Sequence, residues 1–276
     1  MASRDSSHPL VSVIMATFNE PACVITKAVE SMSNQDYPQL EIVIADDSTD
    51  PDTIDAINRL AAADQRIRVV RAERRMGFVT ALNQAMRVAN GDLIARMDGD
   101  DMSLPDRISK QVAYAQAHPD VDVFGGAMYI VNEDDEIVSE RNYPTSESDI
   151  MRMFLFRSPF AHPTIMFRRR IIDSGIFYDP QYKKAEDIDF YMRVLKSGSH
   201  FGNLQDKLLK YRVSGNLGAK RTRDQWVYNH RARKKMIWRR PVFTVFSYLV
   251  SLAYIYVPSK AVRLFYKREN NKLNKS

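Results

Sequence analysis

Three carboxylates, Asp98, Asp100 and Asp101, fall within four residues in the segment LIARMDGDD. Unpaired carboxylates this close repel one another, so a positive group belongs among them. A hard divalent cation with oxygen ligands suits that position. Magnesium or manganese held by Asp98 and Asp100 would complete its shell with water and phosphate oxygens. Gly99 is expected to let the backbone turn so that its neighbours aim at one point. The plainer alternative is a solvated acidic turn, or a cap on the helix that begins near Leu104. An EF-hand loop is a poor alternative, because its later ligands and its closing Glu are absent. A second pair, Asp46-Asp47, can accept hydrogen bonds from a nucleobase or from ribose hydroxyls. Its alternative is N-capping of a helix near Thr53, which Asp50 or Asp52 would do better. A third pair, Glu186-Asp187, opens a helical pattern over Ile188–Leu195. It either complements the helix dipole or supplies a general base that takes a proton from an attacking hydroxyl.

The elements around these residues are legible from their apolar runs. LVSVIMA (Leu10–Ala16), Ile42–Ala45, Ile67–Val70 and Leu93–Met97 are short and mostly apolar, as strands buried on both faces are. Helical patterns fill the gaps at Val24–Met32, Thr53–Ala62 and Thr80–Ala89, and a further helix runs from about Asp106 to Ala117. Strands alternating with helices predict an α/β fold with a Rossmann-like open, mostly parallel sheet flanked by helices. Val121–Val131 reads as one or two more strands. Ligands of such sheets bind beyond the carboxyl ends of the strands. Two of those ends are the acidic clusters, and the first strand ends in Ala16, Thr17, Phe18, Asn19 and Glu20. Neither a G-x-G-x-x-G fingerprint nor a P-loop follows the first strand, which disfavours a dinucleotide site. The single cysteine, Cys23, excludes an internal disulfide and is expected to be a small buried hydrophobe.

VSVIMATFNE, IVIADDSTD, GFVTALNQAMRVANGDLIARMDGDDMSLPDRI, HPTIMFRR and AEDIDFYMRVL stand in this order over about residues 10–215. Together they resemble the family 2 glycosyltransferases, which have the A-type nucleotide-sugar transferase fold. The resemblance implies an inverting, metal-dependent enzyme with a nucleotide-sugar donor, commonly a UDP-sugar. It implies that Ala16 and Thr17, with Asn19 and Glu20 after them, line the donor base. Asp47 would bind the uracil with Asp46 beside it. Asp98 and Gly99 would approach the ribose, Asp100 would ligate Mn2+ or Mg2+, and Asp187 would be the base, supported by Glu186. His162 would lie near donor or acceptor, or else be a structural histidine. The chain departs from the family at Tyr211-Arg212-Val213-Ser214, where many relatives have a histidine and this one has Ser214. Lys220 and Arg221 would reach the diphosphate if the segment before them closes as a lid.

The net charge of +6 is unevenly spread: residues 231–276 carry +11, so residues 1–230 carry −5. The expected division is a catalytic domain over 1–230 and a basic, apolar helical tail over 231–276. Within the tail, Pro241–Val257 is a 17-residue apolar stretch with arginines and lysines on both sides. That is short for a bilayer span, and symmetric basic flanks suit a helix lying in the interface. A core helix or a homodimer contact is the alternative. The short polar N-terminus lacks the apolar core of a signal peptide. These features place the chain at the cytoplasmic face of a membrane, peripheral or monotopic, acting on a lipid-linked or polysaccharide acceptor. A nucleic-acid partner is excluded because the body is acidic and the basic tail surrounds a long apolar run. A protein of the same fold that binds a nucleotide-sugar without turning it over is the competing reading.

Overall fold

The computed structural model describes residues 8–154 and 157–213, with residues 227, 228, 230, 231, 245, 246, 249 and 252. Its first half alternates strand and helix: β1 (Val11–Thr17), α1 (Ala22–Ser33), β2 (Leu40–Asp46), α2 (Pro51–Ala63), β3 (Ile67–Val70), α3 (Phe78–Val88) and β4 (Leu93–Asp98). Every residue of β1 is buried, because helices cover both faces of the sheet. Alternate residues of β1 serve different layers. Ile14 and Ala16 join a core with α3, whereas Val11, Val13 and Met15 join a core with α1 and α2. Asp50 caps α2 by accepting a hydrogen bond from the Thr53 amide at 3.0 Å, with Pro51 in the first helical position.

The second half is irregular. It contains β5 (Met102–Ser103), α4 (Arg107–Ala117), β6 (Val121–Val131), β7 (Ile137–Arg141), α5 (Glu147–Phe154) and a 3-10 turn at His162–Thr164. It continues with β8 (Met166–Arg168), α6 (Arg170–Asp173), α7 (Glu186–Lys196) and β9 (His200–Arg212). The expected strand at Val121–Val131 is one strand, with register shifts near Gly125. The nine strands of the described residues form one mixed sheet in the order β3-β2-β1-β4-β8-β6-β9-β5, with β7 on β6. The first four are parallel, and β8 runs against both of its neighbours.

The order β3-β2-β1-β4 reverses between β1 and β4, and such a switch point opens a crevice at the carboxyl ends of the strands. The register sets Asp98 level with Ala16 and Asp46 level with Thr17. Cys23 is exposed, contrary to the burial expected of it, because it lies on the solvent side of α1, which buries Ile25, Ala28, Val29 and Met32. Among the described residues no helix is long and apolar enough to cross a membrane. Most of Pro241–Val257 lies outside the described residues, as do Ser214, Lys220 and Arg221. Val245, Phe246 and Leu249 are helical and exposed.

Candidate active site

At the switch point a cavity of about 350 Å3 opens between β1 and β4. Its walls include Ala16, Thr17, Glu20, Asp47, Asp98, Gly99 and Asp100, all singled out from the sequence, and also Phe18, Arg75, Phe78 and Tyr211. Asp47 accepts hydrogen bonds from the amides of Met76 (2.9 Å) and Gly77 (2.5 Å), which folds the loop before α3 over the cavity. Gly77 has φ +77°, a conformation that side chains rarely adopt. The Arg75 guanidinium lies 3.7 Å from the centre of the Phe18 ring at the mouth, a cation–π contact.

Ligand oxygens of Asp98, Asp100 and Asp101 lie within 4.8 Å of one another. Asp101 is fully buried. One of its oxygens accepts from the Arg212 amide at 2.9 Å, and the other is buried without a partner. Burial, with Asp98 and Asp100 alongside, raises the Asp101 pKa well above the carboxylate range. Burial likewise raises Glu20, which Asp100 and Asp98 face, and Tyr211, which faces all three carboxylates. An all-oxygen set with an orphaned buried oxygen fits a hard divalent cation. Gly99 serves for a different reason from the expected turn. Its backbone is ordinary, but a Cβ there would meet Thr17 Cγ2 at 3.0 Å and Ile25 Cδ1 at 3.2 Å.

The structure does not bring every singled-out residue to the wall. Asp46 is buried behind it, held by Arg71 at 2.8 Å and by the Ser48 amide and Thr17 hydroxyl. Asn19, with φ 57°, ties the loop after β1 to the loop after β2, accepting from the amides of Thr49 and Asp50. His162 is likewise absent from the wall. Its Nε2 is hydrogen-bonded to the Tyr178 hydroxyl at 2.8 Å, and burial together with Arg96 keeps it neutral.

Glu186 and Asp187 occupy the first turn of α7, two residues earlier than the helical pattern alone predicts. Ala185 precedes them at φ 59°, a strained left-handed conformation that aims the helix start. Burial, and next the charge of Asp187, push Glu186 up to about 7. Burial also raises Asp187, against hydrogen bonds from the Ile188 amide and the Ser158 hydroxyl and the charge of Arg96. A half-buried carboxyl that ionises near neutrality is suited to accept a proton.

Arg96 is the residue sequence reasoning missed. It is 2% exposed and hydrogen-bonds both oxygens of Asp98. A signal was present, since it is the one charge inside the otherwise apolar run LIARM. Phe18, Arg75 and Phe78 left no comparable mark, because exposed aromatics and arginines are ordinary in loops.

The description Glycosyl transferase family 2 matches residues 12–177. The chain is 30% identical to the uncharacterized glycosyltransferase MJ1057 of Methanocaldococcus jannaschii, over 74% of this chain and 71% of that one. It is 31% identical to the amylovoran biosynthesis glycosyltransferase AmsE of Erwinia amylovora (77% and 79%). It is 32% identical to the O-antigen biosynthesis glycosyltransferase WbnJ of Escherichia coli (74% and 80%). In fold it is similar to S. aureus TarS 1–349, solved in complex with UDP-GlcNAc (TM-score 0.66, 22% identity, 83% of this chain and 67% of that one). A longer TarS chain is spanned only to 40%. It is also similar in fold to the mannosyltransferase PcManGT of Pyrobaculum calidifontis, solved with GDP-Man and Mn2+ (TM-score 0.64, 20% identity, 91% and 71%). With its A-type fold, its acidic switch-point cavity and a family match over more than half its length, the chain belongs to glycosyl transferase family 2.

Proposed function

We propose that the chain is an inverting transferase that moves a sugar from a UDP-sugar to a lipid-linked or surface-polysaccharide acceptor at the cytoplasmic face of a membrane. The observation that carries this reading is the division of its carboxylates. Asp98 and Asp100 line the cavity wall, whereas Asp187 stands apart at the start of α7 with a raised affinity for protons. Asp47 and the β1 end would hold the nucleotide. Asp98 and Asp100 would hold Mn2+ or Mg2+, which when bound neutralises charge on the departing diphosphate. Asp187 would take the proton of the acceptor hydroxyl as that oxygen attacks the anomeric carbon. Names of relatives that build amylovoran and O-antigen, and a TarS complex with UDP-GlcNAc, support the donor and acceptor classes. Exposed Val245, Phe246 and Leu249, in a stretch whose sequence carries a charge of +11, support the membrane surface.

The test is release of the nucleoside diphosphate, UDP from UDP-N-acetylglucosamine, UDP-galactose or UDP-glucose and GDP from GDP-mannose, with and without Mn2+, by wild type and Asp187→Asn. Wild type is expected to turn over a UDP-sugar only with metal. The variant is expected to bind UDP normally and turn over about a hundredfold slower or worse, the scale of a lost general base. Tight UDP binding by wild type without turnover of any donor would favour the binding-protein reading instead.

A further inference from the structure

Arg96 is a buried cation with an incomplete set of partners. β4 points residues 96 and 98 to the same side of the sheet, so the guanidinium grips the Asp98 carboxylate from behind through Nη1 (2.7 Å to Oδ2) and Nη2. Its own backbone is pinned. The amide donates to the Ile165 carbonyl, and the carbonyl accepts from Arg107 Nη2 at 2.8 Å. Its Nε is buried with no hydrogen-bond partner. A guanidinium taken out of water is tolerated where acids face it. Asp98 alone is a poor counter-ion for it, because Asp98 also faces the donor cavity.

The other acidic set lies within electrostatic reach of both Arg96 and Asp98. The Arg96 charge acts on Glu186 and Asp187 of α7, on Tyr178 in the segment before that helix and on His162 in the 3-10 turn. Groups facing the pair include Arg96 and Asp98 from β4, Ser158, Tyr178, and Tyr191 of the same helix. Arg96 is a buried cation among them. Resting on the transferase reading above, we propose that Arg96 is a positioning residue shared by both halves of the site, orienting the Asp98 carboxylate toward the donor while setting its charge against Glu186 and Asp187. Removing it would loosen donor binding and make the base harder to ionise. A residue that merely supports β4 would do neither selectively.

Arg96→Lys keeps a cation but loses the two-pronged grip, and its shorter reach draws the charge away from α7. Two measurements decide. Calorimetry of UDP with Mn2+ should show affinity at least tenfold weaker than wild type. The pH profile of UDP release should show its acid limb raised by about half a unit, and by about one unit or more in Arg96→Gln, since one unit is a tenfold change in the ionisation constant. Should Arg96→Gln fail to fold, Arg96→Lys decides alone. Wild-type affinity in Arg96→Lys, an unmoved acid limb, or a rate lowered by the same factor at every pH would each overturn the shared role. Absence of UDP binding by wild type would instead overturn the transferase reading on which the proposal rests.

Discussion

At the scale of single residues, two carboxylate sets do different work and respond to different tests. Asp100→Ala should abolish the Mn2+-dependent part of UDP affinity by removing an oxygen from the set that would hold the metal. Calorimetry with and without Mn2+ checks this, and unchanged affinity would take Asp100 out of the metal site. The Glu186–Asp187 pair should give turnover an acid limb near pH 7, the value to which burial and Asp187 push Glu186. A base works when deprotonated, so the rate rises with pH through that limb. In Glu186→Gln the repelling neighbour is gone, Asp187 ionises more easily, and the limb should move to lower pH. The same raised pKa has an opposite effect on stability. Between the ordinary glutamate value of 4.5 and about 7 the folded chain keeps a proton that the unfolded chain has lost, so the pair makes the protein less stable as pH rises through that window. The acidic clusters were legible in the sequence because like charges at a strand end require a reason. Asp46 and Asp47 show where that reading stops. Asp46 is the last residue of β2 and Asp47 the first after it, yet Asp46 turns inward to Arg71 and Asp47 stands at the cavity, and spacing alone does not tell one from the other.

At the scale of elements, β1, β3 and β4 were legible to within a residue at each end, and β2 in its central four residues. Strands covered on both faces are continuous apolar runs, and their boundaries fall where polarity returns, as at Thr17-Phe18-Asn19. β5, β7, α5, β8, α6 and the long β9 were not foreseen. β7 keeps Ile137 and Val138 exposed at a sheet edge, and β8 is three residues long, so neither carries a periodic signature. The register that aligns Ala16 with Asp98 depends on a close approach of β1 to the turn before β4. Gly91 makes that approach possible. A Cβ there would collide with the Ser12 amide nitrogen and come within 2.6 Å of the Ser12 hydroxyl. Gly91→Ala should therefore destabilise the fold by about 1–3 kcal/mol, the range for overpacking against backbone. Urea unfolding measures it, and a shift below about 0.5 kcal/mol would mean that the two strands separate easily there.

At the scale of the whole molecule, an acidic body and a basic tail meet near α7. Tyr228 lies 6.3 Å from the Tyr182 ring, and Arg231 donates to Gln181 at 3.0 Å. Truncation after Arg231 keeps those contacts and removes the apolar run. It should release the protein from anionic vesicles in flotation while UDP binding persists, because every wall residue of the cavity precedes residue 212. High salt should strip the full-length protein only in part, since it weakens the basic contribution and leaves apolar burial intact. Failure of the full-length chain to float would reassign the tail to packing or to a partner copy.

Order along the chain has a further consequence. Apart from Tyr211, the cavity walls are complete by Asp100, and the proposed base comes 87 positions later. On the proposed reading, the nucleotide side of the site and the base are thus written in separate stretches of one chain, with Arg212 on Asp101 and the charge of Arg96 on Asp187 tying later and earlier parts together. Such a chain can diverge piecemeal: changes downstream of Asp100 can remodel the surroundings of the base while nearly all of the cavity wall stays as it is.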